Sequence, residues 1–157
     1  MNHLATMRRA TAEDAEFLHA VYASTRAAEL AVTGWSEEQK SQFCRQQSTA
    51  QEAHYRQHYP TAEFSVIERD GTPIGRLYVD RWEKEIRIMD IALLPEHRGA
   101  GIGSELLREL QEEARAAGKG LSIHVEKFNP ALRLYERLGF TVREDKGVYL
   151  LMEWRGG

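Results

Sequence analysis

Seven strand-like segments interleaved with helical ones predict an α/β (α+β) domain, a mixed and mostly antiparallel central sheet of about seven strands flanked by helices on both faces. Three observations carry that prediction. The dipeptides Asp70-Gly71 and Lys146-Gly147 each stand between β-like runs and mark antiparallel hairpins. The middle of the chain reads strand, glycine-rich turn, helix, strand, an order that interrupts the antiparallel run. With 157 residues, 42% hydrophobic and 29% charged, the chain suits one domain, residues 1–157, able to bury a real core.

Each element has its own local reason. Leu4 to Arg9 reads as a first short strand, after which Thr11 and Asp14 are spaced as a capping box that opens a helix. Leu18, Val21, Tyr22 and Thr25 fall on one face of it. Gly34 breaks that helix within a short, mobile loop around Thr33 to Trp35, and the Ser36-Glu37-Glu38-Gln39 run repeats the capping-box spacing for a second helix that Pro60 ends. Glu63 to Glu68 and Pro73 to Arg81 pair across Asp70-Gly71. A third antiparallel strand runs from Glu85 to Leu94, and its second half, Ile88 to Leu94, is apolar except for Asp90, as expected of a central strand covered on both faces. Pro95 stops it. Ile102, Leu106, Leu107, Leu110 and Ala114 then recur at helical spacing until Gly118. Leu121 to Glu126 is a strand, and the next helix takes Asn129 as N-cap, Pro130 at its first position and Gly139 just past its end. Phe140 to Arg143 and Val148 to Trp154 close the chain as a hairpin.

Composition excludes several classes. A formal net charge of -3 argues against general nucleic-acid binding, which shows as a basic stripe. No apolar run approaches the ~20 residues that cross a membrane. The opening residues lack the apolar core of a secretory signal, and the single Cys44 has no partner for an intramolecular disulfide. The expectation is a soluble cytoplasmic protein without a metal, with a homodimer left open.

The informative segment is His97 to Ser104, reading HRGAGIGS, directly before a strong helix. Gly99, Gly101 and Gly103 allow unusual backbone angles and a close approach of N–H groups to an anion. The helix adds free donors and the positive end of its dipole, and Arg98 adds a cationic fork. A Walker-type loop fails because Gly103-Ser104 carries no lysine. A dinucleotide fingerprint fails because the turn follows an antiparallel strand in mid-chain. A helix entry with no ligand remains the bland alternative for an isolated glycine turn.

The order strand, RGAGIG, helix, strand, then NPALRLYERLGF resembles the GNAT superfamily of N-acetyltransferases over Arg87 to Phe140. Arg98 to Gly103 matches the Gln/Arg-x-x-Gly-x-Gly/Ala signature, and Asn129, Ala131, Tyr135, Gly139 and Phe140 match the second. The resemblance implies a GNAT-like acyl-CoA N-acyltransferase fold and transfer of an acetyl group from acetyl-CoA to an amine. It implies cofactor contacts from Ile91, Ala92 and Leu93, from Arg98, Gly99, Ala100, Gly101, Ile102, Gly103 and Ser104, and from Asn129 and Tyr135. In the family the strand holding Ile91 and the next strand splay apart, often through a bulge, and the pantetheine arm fills the gap. The Leu93 N–H would then face the thioester oxygen, and Tyr135 would protonate the leaving thiolate.

Each of these residues also has a plain reading. Ile91, Ala92 and Leu93 suit core packing, and Tyr135 lies with Ala131, Leu134 and Leu138 on an apolar helix face, where a tyrosine is commonly core. An alkyl ammonium near pKa 10.4 must lose a proton, at about 4–5 kcal/mol at pH 7, and the family positions for a strand glutamate or histidine hold Arg87 and Met89. His124 stands where other members carry a glutamate, and is the first candidate base, with Glu85, Asp90 and Glu126 as alternatives. A structural strand histidine is the plain reading. His54 and His58 have metal-ligand spacing but lack a third ligand, Cys44 suits a helix core, and Trp35 lies where the family forms its acceptor pocket. Glu29, Glu37, Glu38 and Glu85 suggest a negative acceptor side, and the short Glu144 to Gly147 loop leaves room for a peptide end. A small amine, a peptide N-terminus and a lysine all stay open. So does a nonenzymatic domain that senses acetyl-CoA.

Overall fold

One seven-stranded sheet, in the order β1-β2-β3-β4-β5-β7-β6, organises the computed structural model, which describes residues 3–156. The strands are β1 (Thr6–Arg9), β2 (Glu63–Arg69), β3 (Thr72–Arg81), β4 (Glu85–Leu93), β5 (Gly120–Glu126), β6 (Thr141–Asp145) and β7 (Tyr149–Trp154). Four α-helices join them: α1 (Ala15–Leu30), α2 (Glu37–His58), α3 (Ile102–Ala117) and α4 (Leu132–Arg137). Every neighbouring pair is antiparallel except β4 and β5. The expected mixed sheet is therefore present, with α3 as the crossover that a parallel pair requires.

The two capping boxes form as their spacing dictates. Ser36 Oγ accepts the Gln39 N–H at 3.1 Å while Gln39 Oε1 accepts the Ser36 N–H at 2.9 Å, so α2 begins with its donors satisfied. Asp14 accepts the Thr11 N–H at 2.7 Å, but this box closes a 3₁₀ turn, Ala12–Asp14, and α1 starts one residue later. Asp14 also takes two hydrogen bonds from Arg8, at 2.9 and 2.8 Å, which tie β1 to the start of α1. Those bonds push its pKa down to about 2.

The two faces of the sheet are covered differently. Against α3 and α4 lies the apolar core, where Ile74, Leu77, Ile86, Ile88, Leu121 and Ile123 meet Ile102, Leu106, Leu107 and Leu110. Each such side chain contributes about 1.5–3 kcal/mol by leaving water. The opposite face, under α1 and α2, carries buried polar groups: Arg76, Tyr78, Asp80, Arg87 and Ser122. Arg76 is only 1% exposed and is held by Asp90 at 2.8 Å and Gln51 at 3.1 Å. Tyr78 donates to Glu52 at 2.5 Å beside it.

Three expectations are corrected. The apolar half of β4 is not the covered half: Ile86, Arg87 and Ile88 are buried, whereas Met89 to Leu93 are half-buried. β5 pairs with β4 only as far as Ile88↔Ile123, so the later residues lose one neighbour. The last helix begins two positions later than expected, with Ala131 as its cap residue. Asn129 instead forms the preceding turn, its Oδ1 accepting the Ala131 N–H at 2.8 Å. Finally, β1 begins at Thr6 and β6 extends to Asp145.

Candidate active site

A V-shaped gap opens where β4 and β5 part. Met89 is the extra residue of a bulge, since Val79 pairs with Ile88 and Tyr78 with Asp90. Beyond it β4 stays on β3, while β5 continues to Glu126 on β7. The inner edges of both strands therefore face each other unpaired. The Leu94 N–H donates to the Ile74 carbonyl at 2.8 Å, on the β3 side. Because backbone groups alternate along a strand, the Leu93 and Ile91 N–H groups point to the gap. The Leu93 carbonyl on that edge accepts from Arg98 Nε at 2.9 Å. The Ile91 and Leu93 side chains pack on the apolar core, so their plain and functional readings coexist: side chains inward, backbone N–H groups toward the gap. Ala92 is half-buried.

The glycine turn begins at the end of β4. Pro95–His97 forms a 3₁₀ turn, Arg98 is extended, and Gly99 (φ 79°) and Gly101 (φ 84°) occupy the left-handed region that side chains disfavour. Gly101 is the cap residue of α3 and offers no side chain, which leaves the N–H groups of Ile102, Gly103 and Ser104 without a capping oxygen. Ile102 is buried, so only its backbone serves the turn, whereas Gly99 and Ala100 are exposed. Gly103 departs from the expectation of an unusual angle, for it lies in the first turn of α3. A Cβ there would meet nothing nearer than Leu134 at 4.0 Å. The fold does not need glycine at 103, and what its absent side chain leaves is open space beside free donors. That cradle fits a diphosphate.

Tyr135 comes from α4. It is 4% exposed and packs edge-on to Phe140 with ring centroids 5.8 Å apart. Burial first, and then the nearby Asp90 charge, push its pKa well up, so the phenol keeps its proton.

The acid–base candidates are less free than their sequence suggests. His124 is exposed on β5, one residue beyond the last β4–β5 pair. Arg87 Nη1 stands 3.3 Å from its Nδ1, and burial followed by the Arg87, Lys146 and Arg143 charges lowers its pKa. Glu85 is fully engaged, accepting from Arg87 at 3.1 Å, from Arg143 at 3.2 Å and from Ser122. Those bonds outweigh its burial and lower its pKa, which makes it a poor base. Asp90 is bound by Arg76, and Glu126 lies 3.4 Å from Arg26 of α1. The expected negative acceptor side is largely neutralised, since Glu29 pairs with Arg26, Glu37 with Lys40, and Glu85 with two arginines. Sequence reasoning missed Arg76 and Ser122 and gave Arg87 no role; the available signal was the four charges, Arg76, Asp80, Arg87 and Asp90, inside otherwise apolar central strands.

Other candidates fall outside the gap. The His54 and His58 rings stack at 4.2 Å, a geometry in which they do not converge on a metal. His3, Glu105 and Glu109 do converge, at the surface where the N-terminal segment meets α3. Cys44 is buried between α1 and α2, and burial raises its thiol pKa, as expected of a core residue. It also lines a cavity of about 540 Å³ with Glu16, His19, Ala23, Ala27 and Arg45, which contains no residue of the gap. Trp35 is 39% exposed beside that junction, its ring edge-on to Phe43.

Comparison with known proteins bears on this geometry. A model described as the acetyltransferase (GNAT) family matches residues 18–140. The streptothricin acetyltransferase of Streptomyces lavendulae is 38% identical over 82 residues, which cover 50% of this chain and 43% of that protein. A Bacillus subtilis protein described provisionally as a ribosomal protein bS18-alanine N-acetyltransferase is 34% identical over 107 residues, 60% of this chain and 69% of that protein. The match thus spans less than half of the streptothricin enzyme. Among solved structures, the PaiA N-acetyltransferase of Thermoplasma acidophilum in complex with coenzyme A superposes with a TM-score of 0.73 at 22% identity, covering 99% of both chains, a likeness of fold. No helix among the described residues is long and apolar enough to cross a membrane.

Proposed function

The chain belongs to the GNAT acetyltransferase family, and from that premise we propose that it transfers an acetyl group from acetyl-CoA to a primary amine by direct attack in a ternary complex. The observation that carries this reading is the unpaired edge of β4 at Ile91 and Leu93, which ends at the uncapped start of α3. Acetyl-CoA supplies an activated acyl group and a thiol leaving group. The backbone N–H groups of Ile102, Gly103 and Ser104, with the Gly99 to Gly101 turn and Arg98, hold the diphosphate. Ile91 and Leu93 offer backbone partners to the pantetheine amides, as an added strand would. The Leu93 N–H donates to the acyl oxygen as charge develops there. Tyr135, kept protonated, gives its proton to the departing sulfur. Asn129 shapes the turn that presents α4.

His124 does not serve as the base in this reading, because Arg87 already occupies its Nδ1. The amine reacts from its neutral form, and the proton its nitrogen sheds on becoming an amide passes to water, from which the Tyr135 phenol regains the proton given to the thiolate. Two measurements test the proposal. Acetyl-CoA at 100 times its Kd should add about 2.7 kcal/mol of stability, a rise of roughly 5–10 °C in melting temperature. Thiol release should follow with members of a panel of amines and peptides. No thermal shift refutes the cofactor, and a shift without transfer to any acceptor supports a sensor in place of an enzyme.

A further inference from the structure

We infer that His124 is a hydrogen-bond donor that selects an acceptor carrying a carbonyl oxygen beside its amine, as the α-amino group of a peptide does. The substrate half of this inference rests on the acetyltransferase reading above; the state of the ring rests on geometry alone.

Arginine has five donors and no acceptor, so an Arg87 Nη1 lying 3.3 Å from His124 Nδ1 requires a lone pair on that nitrogen. The neutral ring then carries its hydrogen on Nε2. The guanidinium is not free to turn away. Its Nε donates to Ser122 Oγ at 2.8 Å, its Nη2 donates to Glu85 at 3.1 Å, and its Cζ stands 4.8 Å from the centre of the Trp82 ring. Ser122 passes its own hydrogen to Glu85, which fixes the carboxylate beneath. Protonating Nδ1 would set N–H against N–H and a second charge beside Arg87.

The surrounding cations act in the same direction, against Glu144, whose charge favours the protonated ring but is outweighed. β4 contributes Arg87 and Glu85, β6 contributes Arg143 and Glu144, and the hairpin turn contributes Lys146. Of the carboxylates, Glu85 is shared by Arg87 and Arg143, and Glu126 on β5 itself faces Arg26 of α1. On β7 the paired residue is the apolar Leu151. Three cations therefore surround an exposed ring, and Nε2–H is the group it has left to offer. It does so on the flank of the gap, one residue past the Ile88↔Ile123 pair.

A neutral donor on that flank fits a carbonyl, and a site whose histidine is so held favours an amine that is easily neutral. An α-amine with pKa near 7.8 is neutral in roughly one molecule in seven at pH 7, against about one in 2,500 for an alkyl amine. A peptide N-terminus has both the carbonyl and the low pKa.

The test uses the full chain. ¹⁵N NMR of the imidazole should report Nε2–H and a pKa below the ordinary value of 6.5, and Arg87→Met should raise that pKa. In thiol-release assays with a peptide bearing a free α-amine, His124→Ala should raise KM about five- to tenfold, the loss of one hydrogen bond. His124→Gln keeps an N–H donor but cannot take a proton, and should restore KM while leaving the pH limb of kcat/KM on the acceptor's own pKa. With a simple alkyl amine, the alanine variant should leave KM where it was. An Nδ1–H ring, or a glutamine variant as impaired as the alanine one with the pH limb lost, overturns the proposal in favour of a base. Failure of every acceptor to elicit thiol release overturns the acetyltransferase reading and the choice of acceptor with it, while the ring's state is still decided by NMR.

Discussion

Gly75→Ala tests the link between the sheet and the gap. Gly75 lies on β3 opposite Leu93, and a Cβ built on it would stand 2.2 Å from the Ala92 carbonyl oxygen, 2.9 Å from Leu93 Cδ2 and 3.1 Å from Leu93 Cα. Nonbonded heavy atoms settle near 3.5 Å, so β4 must retreat by about 1 Å. The nearest obstacle is backbone, which cannot rotate aside as a side chain would. Overpacking of this kind costs about 1–3 kcal/mol, and a domain of this size loses roughly 2–4 °C of melting temperature per kcal/mol. Leu93 moves with the strand. Because its N–H is the proposed donor to the acyl oxygen, a displacement of about 1 Å should lower turnover on the order of 100-fold. Scanning calorimetry gives the first quantity, and thiol release at saturating acetyl-CoA, corrected for the folded fraction, gives the second. An unchanged melting temperature would refute the close approach. A lowered one with full turnover per folded molecule would refute the role of the Leu93 edge.

The other expectations divide fold from function. Gly103→Ala should stabilise the protein by up to about 1 kcal/mol, since alanine suits a helix and meets only Leu134 at 4.0 Å, yet should weaken binding of coenzyme A measured by calorimetry; unchanged affinity would remove the diphosphate from that spot. Tyr135→Phe should slow the chemical step about ten- to a hundredfold with acetyl-CoA affinity kept, the low end of acid catalysis because a thiol of pKa near 8.5 leaves well. Pre-steady-state thiol release checks it, and equal rates would return Tyr135 to the core. Asp14 has a folded pKa of about 2 against an ordinary 3.8, so its contribution to stability is present above pH 4 and lost as pH falls toward 2. Urea unfolding of Asp14→Asn across that window should lack this part of the acid sensitivity, and parallel curves for the two proteins would contradict the pairing with Arg8.

Much of the molecule was legible because its cues are local. Ser36 and Gln39 cap α2 as their spacing requires, Asp70-Gly71 turns the hairpin it marks, and Gly101 and Gly118 bound α3 in the left-handed conformation that favours glycine. The family signature was also local, a glycine-rich turn and the helix it opens. Where reading failed, the deciding contact was distant. Ile88 to Leu94 looked like covered strand because hydrophobicity reports that side chains are buried, not which edge of the backbone is paired.

The sequence by itself thus determined the elements, their order and the glycine-rich turn proposed to hold the diphosphate, since turn chemistry, capping and periodicity act over a few residues. Only the tertiary structure decided that β5 leaves β4 after Ile88, that Met89 bulges, and that Arg87 takes the nitrogen through which His124 would have acted as a base. Strand register and side-chain hydrogen bonds are settled between residues distant in the chain, such as Arg87 and His124, 37 positions apart, and no local pattern encodes which lone pair such a partner will occupy.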